Sequence, residues 1–135
     1  MSHPTVERLT GRVIRAGLAS GRALVSSRPI GFLGGVDPDT GIVIEPRHPL
    51  EGQSIAGRVL VFPGGKGSTV GSYTILRLAR SGHAPAAMLC GLSEAIVAVG
   101  AILAGIPMVD SVDISSIRTG DCIHIDGNSV EVRRE

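Results

Sequence analysis

The rhythm of apolar and polar positions changes near the middle of the chain. In the first half, short apolar stretches are broken repeatedly by Gly and Pro, and their spacing predicts strands over Leu9–Ala16, Ala23–Ser26 and Ile42–Glu45. Between the last two, Gly31 to Gly41 carries a turn-forming residue at nearly every position and reads as a loop. In the second half the apolar runs are continuous. Gly57–Phe62 predicts a strand buried on both faces, stopped by Pro63, and a helix follows from about Thr69 to Arg80, closed by Ser81-Gly82. Ala86–Cys90 predicts a second buried strand. Ser93-Glu94 opens a helix over Ala95–Ala104, which Gly105 and Pro107 end, and Pro107–Val109 is a third short strand. Strand, helix, strand, helix, strand is the order of parallel βαβ units. Cys122–Asp126 and Ser129–Arg133 flank Asp126-Gly127-Asn128 as a hairpin. The fold class expected is α/β: a β-rich N-terminal half packed with a βαβαβ C-terminal half, in one domain spanning residues 1–135.

Composition sharpens this picture in two ways. With two Phe, one Tyr and no Trp, the core has to be built from Val, Ile, Leu and Ala, which suits a sheet covered by helices. Nineteen glycines imply tight turns, or backbone brought close to a ligand or partner. The formal charge is only +1, and no basic cluster alternates with aromatics, so nucleic acid is not an expected partner. No apolar run reaches the ~18 residues of a membrane span. Residues 1–8 lack the apolar core of a signal peptide, and the expected location is the cytoplasm. Cys90 and Cys122 are too few to ligate an iron–sulfur cluster or a structural zinc, and both read as buried core thiols. The four histidines show no metal-ligand spacing.

The segment with most chemical content is Pro63-Gly64-Gly65-Lys66-Gly67-Ser68-Thr69-Val70-Gly71-Ser72-Tyr73. It joins the end of a buried strand to the start of a helix, where backbone N–H groups and the helix dipole favour an anion. It is not a nucleotide P-loop, because Lys66 is followed by Gly67 and Leu60 stands where that motif needs its first Gly. Nor does it fit a dinucleotide fingerprint. Two readings stay open on these residues alone. Ser68 is a helix N-cap in a tight glycine turn, or the loop, with its added lysine, binds a carboxylate or phosphate. Asp37 and Asp39 read as turn formers near a subunit interface, since two carboxylates fall short of a calcium or magnesium ligand set. Arg28 reads as an exposed arginine, and Ser72 and Tyr73 as structural.

The loop Gly65–Tyr73 resembles the catalytic loop in the swivelling small subunit of the aconitase X family, and Phe32–Gly41 and Ile96–Asp110 agree with that family in the same register. The resemblance covers nearly the whole chain. It implies a swivelling β/β/α domain and a heteromeric hydro-lyase, active only with a separate large subunit that carries a [4Fe–4S] cluster. It also implies that Ser68 is the catalytic base, with Lys66, Gly67 and Thr69 as candidates for holding a small anionic substrate, and that this chain binds no metal itself. The wording of the loop is closer to the archaeal branch, which dehydrates (R)-5-phosphomevalonate to trans-anhydromevalonate 5-phosphate on a route to isoprenoids. A sister branch acts on cis-3-hydroxy-L-proline, and the two substrates remain open at this point. Two alternatives of other classes are a swivelling phosphohistidine carrier, faintly suggested by Ser81-Gly82-His83-Ala84, and a non-catalytic interaction module that uses the loop only for docking.

Overall fold

A computed structural model describes residues 5–67 and 70–134. Eight strands among them form one curled sheet in the order β1-β8-β7-β3-β4-β5-β6-β2. In chain order these are β1 (Thr5–Thr10), β2 (Arg12–Arg15), β3 (Leu18–Val25), β4 (Val59–Phe62), β5 (Ala87–Cys90), β6 (Met108–Asp110), β7 (Cys122–Asp126) and β8 (Ser129–Arg134). Three α-helical segments and a short 3-10 helix (Ile114–Ser116) join them; the α-helical ones are a single turn, α1 (Phe32–Gly35), then α2 (Gly71–Ser81) and α3 (Ala95–Ala104).

The βαβαβ half folds as its pattern predicts. β4, β5 and β6 are parallel neighbours, and β4 and β5 are buried at every position, as strands covered on both faces must be. β3 completes this sheet and bends between two partners. Its Ala23–Val25 end runs parallel to β4, while its Leu18–Arg22 end pairs antiparallel with β7. The hairpin of β7 and β8 turns at Gly127, as expected, and β1 lies antiparallel on β8.

Two expectations from the first half change. The strand read over Leu9–Ala16 is two strands that part at Gly11 and go to opposite ends of the sheet, β1 to β8 and β2 to β6. The chain can switch there because residue 11 lacks a side chain. A Cβ at Gly11 would collide with the Asp110 carbonyl and stand 2.6 Å from Val112 Cγ2. The second change is at Ile42–Glu45, which forms only isolated bridges, Val36 to Val43 and Ile42 to Ser54. This segment belongs to an excursion pinned by His48, whose ring bonds the Pro29 carbonyl at 3.1 Å and accepts the Leu50 N–H at 3.0 Å. Apolar alternation was present, but no strand lies beside it to complete a ladder.

The core has two parts. One lies between the parallel sheet and the helices, and includes Leu60, Phe62, Ile75, Leu78, Met88 and Val97. The other fills the inside of the curl, where Val59, Val61, Leu89 and Val109 meet Ile123, Ile125, Val130 and Val132. The layers are therefore helix, parallel sheet and antiparallel sheet. The alternation along β7 that turns Ile123 and Ile125 inward turns Cys122 and His124 outward. Cys90 is buried as expected, but Cys122 is only half-buried, because it is adjacent in sequence to an inward residue on a strand.

Candidate active site: a glycine loop between two helix starts

The loop that follows β4 is held from two sides. On one side it pairs with the segment after β3: the Ile30 N–H donates to the Gly64 carbonyl at 3.1 Å, and the Lys66 N–H donates to Ile30 at 3.0 Å. On the other it lies against the first turn of α3. A Cβ at Gly65 would stand 2.5 Å from Val97 Cγ2 and 2.7 Å from Glu94 Oε1, so this approach requires glycine. Gly67 then takes a φ of 98°, in the left-handed region. Ser68 and Thr69, the base and one of the substrate-binding candidates, lie outside the described residues.

Past them, α2 starts at Gly71, two residues later than the pattern suggests, with Val70 at its N-cap. Val70 supplies no side-chain cap, and the first turn of α2 holds no acidic residue. The positive end of the helix dipole is thus not neutralised by a carboxylate of its own helix. The α3 start differs, because Glu94 caps it by accepting the Val97 N–H at 3.2 Å. Lys66 is not a free solvated lysine: its Nζ is 2.9 Å from Glu45 Oε2. Sequence reasoning missed Glu45, because nothing local signals a partner 21 positions away.

Several candidates find structural roles. Ser72 is buried and donates to the Ile96 carbonyl at 2.6 Å, which ties α2 to α3 beside the loop. Tyr73, expected to be structural as well, is 65% exposed on the outside of α2. The Asp37 carboxylate accepts the Asp39 N–H at 2.9 Å and shapes the turn, whereas Asp39 pairs with Arg77 at the surface. Arg28 is exposed. His83 follows the end of α2, where its Nδ1 lies 3.2 Å from the Ser81 hydroxyl and its N–H donates to the Leu78 carbonyl. Burial pushes the Cys90 thiol up to about 11, which keeps it protonated and unreactive at neutral pH.

A cleft of about 560 Å³ lies elsewhere, on the outer face of β3, β7 and β8. Its polar side chains are satisfied within the sheet: Ser20 with His124, Arg22 with the Gly120 carbonyl and Arg133 with Glu131. It shares no residue with the glycine loop. Among the described residues no three His, Cys, Asp or Glu side chains converge as a metal site. The donor set of these residues therefore does not fit an iron–sulfur cluster.

Known proteins match most of this chain. The phosphomevalonate dehydratase small subunit of Thermococcus kodakarensis is 54% identical over 125 residues, which cover 93% of this chain and 94% of that one. The protein of the same name from Methanothermobacter thermautotrophicus is 61% identical over 99 residues, 73% of this chain and 76% of that one. The crystal structure of T. kodakarensis aconitase X in its holo-form superposes with a TM-score of 0.92 at 52% identity, covering 93% of this chain and 98% of that one. The aconitase X swivel domain family matches residues 8–133, and with that match this chain belongs to the aconitase X swivel domain family.

Proposed function

We propose that this chain is the small subunit of a heteromeric hydro-lyase that dehydrates (R)-5-phosphomevalonate to trans-anhydromevalonate 5-phosphate in the cytoplasm, together with a large subunit. The observation that carries the reading is the glycine loop packed between the starts of α2 and α3, in a chain that is 54% identical to a protein named for that dehydratase. The cis-3-hydroxy-L-proline reading has no support from the relatives described above.

The reaction removes a proton from the carbon next to the carboxylate and expels the hydroxyl from the neighbouring carbon, releasing water. Ser68 is the proposed base. A serine hydroxyl is a poor base at neutral pH and needs a setting that favours its alkoxide. The N-terminus of α2, whose first turn holds no acidic residue, and the charge of Lys66 both have the required sign. The same groups suit a substrate that carries a carboxylate and a phosphate. Lys66, Gly67 and Thr69 are the proposed contacts to it. The [4Fe–4S] cluster implied by the family is assigned to the large subunit, and departure of the hydroxyl is that subunit's task.

The test is anaerobic turnover of (R)-5-phosphomevalonate by the assembled two-subunit enzyme, wild type against Ser68→Ala. Wild type should form the unsaturated acid. Removal of a general base typically costs about 10²–10⁴-fold, so a loss of that size is expected in a Ser68→Ala enzyme that assembles with its cluster intact. Full activity in Ser68→Ala would move the base to the other subunit. Dehydration of cis-3-hydroxy-L-proline in place of phosphomevalonate would overturn the substrate.

A further inference from the structure

α3 has no polar or charged side chain along its whole length, Ala95-Ile-Val-Ala-Val-Gly-Ala-Ile-Leu-Ala104. One stripe, Val97, Gly100 and Ala101, is buried against the rest of the domain, and Gly100 lets Ile75 of α2 come into contact with the helix. The opposite stripe needs no such burial, yet it too is apolar: Val99, Ile102 and Leu103 are 46%, 53% and 56% exposed. A helix that ends facing water carries polar residues on its outer face, and one that is apolar all round is covered on both sides. α2 shows the ordinary pattern, with Arg77 and Arg80 on its surface. Leu92, just before the start of α3, is likewise apolar and 68% exposed. The Leu92 carbonyl stands about as close to the glycine loop as Gly64 permits, 3.1 Å from the position of a Cβ there.

We propose that the outward face of α3, from Leu92 through Val99 and Ile102 to Leu103, is the surface on which the large subunit docks. The inference rests on the two-subunit reading above. If the reaction takes place between the glycine loop and the other subunit, that subunit's surface reaches the loop, and the apolar stripe is the continuous extension of that contact down α3. Arg15 of β2 borders the C-terminal end of the stripe, with its guanidinium 3.6 Å from where a Gly105 Cβ would be. The matching surface on the large subunit is therefore apolar with an acidic edge.

The measurement is the affinity of the isolated chain for its own large subunit, for wild type, Val99→Asp/Ile102→Asp, and the control Leu18→Asp on the far side of the sheet. The double variant should bind at least about 100-fold more weakly, as expected for charges placed in a buried apolar contact, and Leu18→Asp should bind as wild type. Binding of the double variant within about threefold of wild type would overturn the proposal. So would an isolated wild-type dimer that the double variant splits while large-subunit binding is kept, since a second copy would then own the face. Hydroxyl-radical footprinting of the wild-type chain covers the case of a variant that does not fold: addition of the large subunit should protect Leu92, Ile102 and Leu103, and unchanged labelling overturns the proposal. Turnover is scored separately. A complex that forms through α3 but ignores phosphomevalonate would sink the substrate reading and keep the docking surface.

Discussion

Lys66 Nζ lies 2.9 Å from Glu45 Oε2, so the one cation of the glycine loop already has a carboxylate beside it. If Lys66 contacts the substrate as proposed, the incoming anion has to share that ammonium or displace Glu45. The two side chains are 50% and 26% exposed, and a pair this wet is worth only ~0–1 kcal/mol. The competition is therefore mild, and the pair holds the lysine over the loop without locking it. In the assembled enzyme, Glu45→Gln is expected to lower KM by up to about fivefold with kcat little changed, and Lys66→Met to raise KM by about tenfold or more. Steady-state kinetics on the two variants decides it. A rise in KM in Glu45→Gln would mean that Glu45 positions Lys66 and does not compete for it.

The two cysteines should separate cleanly in a thiol titration of the isolated chain. Cys90 is fully buried at the end of β5, with its thiol pushed up to about 11 by burial. Cys122 opens onto the outer cleft of β7. A disulfide reagent near pH 8 is expected to modify one thiol in the native chain and the second only on unfolding. Modification of both at equal rates would contradict the packing of β5.

Much of this fold was legible in the sequence because its second half obeys local rules. Continuous apolar runs that ended in Pro or Gly gave β4 and β5, and Glu94 and Gly105 gave α3 its two ends to the residue. The parting of β1 from β2 was not legible, because Gly11 marks a close approach only once Asp110 and Val112 are known to lie against it. Cys122 was misread because apolar neighbours suggested a core, when period two on a strand sends adjacent residues to opposite faces. At the site, the glycines and lysine left two readings open, a capped tight turn and an anion-binding loop. The Glu45 partner and the clamp on Gly65 arise from contacts distant in sequence, and no local pattern encodes them.

The place where the sheet ends meet carries a titratable device of its own. Asp110, at the end of β6, is fully buried and accepts two hydrogen bonds from Arg12 of β2, at 2.9 and 2.7 Å. The Ser93 hydroxyl and N–H donate to the same carboxylate at 2.5 and 3.2 Å, which joins this corner to the start of α3. Arg12 first, and then Ser93, hold the Asp110 carboxyl well below the usual carboxylate range, against the opposing effect of burial. A folded value below the unfolded one, about 3.9, means that the stabilisation is complete above that pH, starts to fade as pH reaches it and is gone only once pH has fallen through the lower folded value. Glu7 and Asp113 are lowered as well, by Ser116 and Arg134 and by Ser115, and add to the same acid limb. Wild type should therefore begin to lose melting temperature near pH 5 and lose it most steeply below about pH 4. Asp110→Asn is expected to melt several degrees lower at neutral pH, since a change of ~1 kcal/mol moves a domain of this size by roughly 3–5 °C. Its melting temperature should also fall less steeply over the acid range, with a residual slope from Glu7 and Asp113. Thermal melts of both proteins across that range, followed by circular dichroism, make the comparison. Parallel acid limbs in the two would show that the Arg12–Asp110 pair is not what fastens β2 to β6.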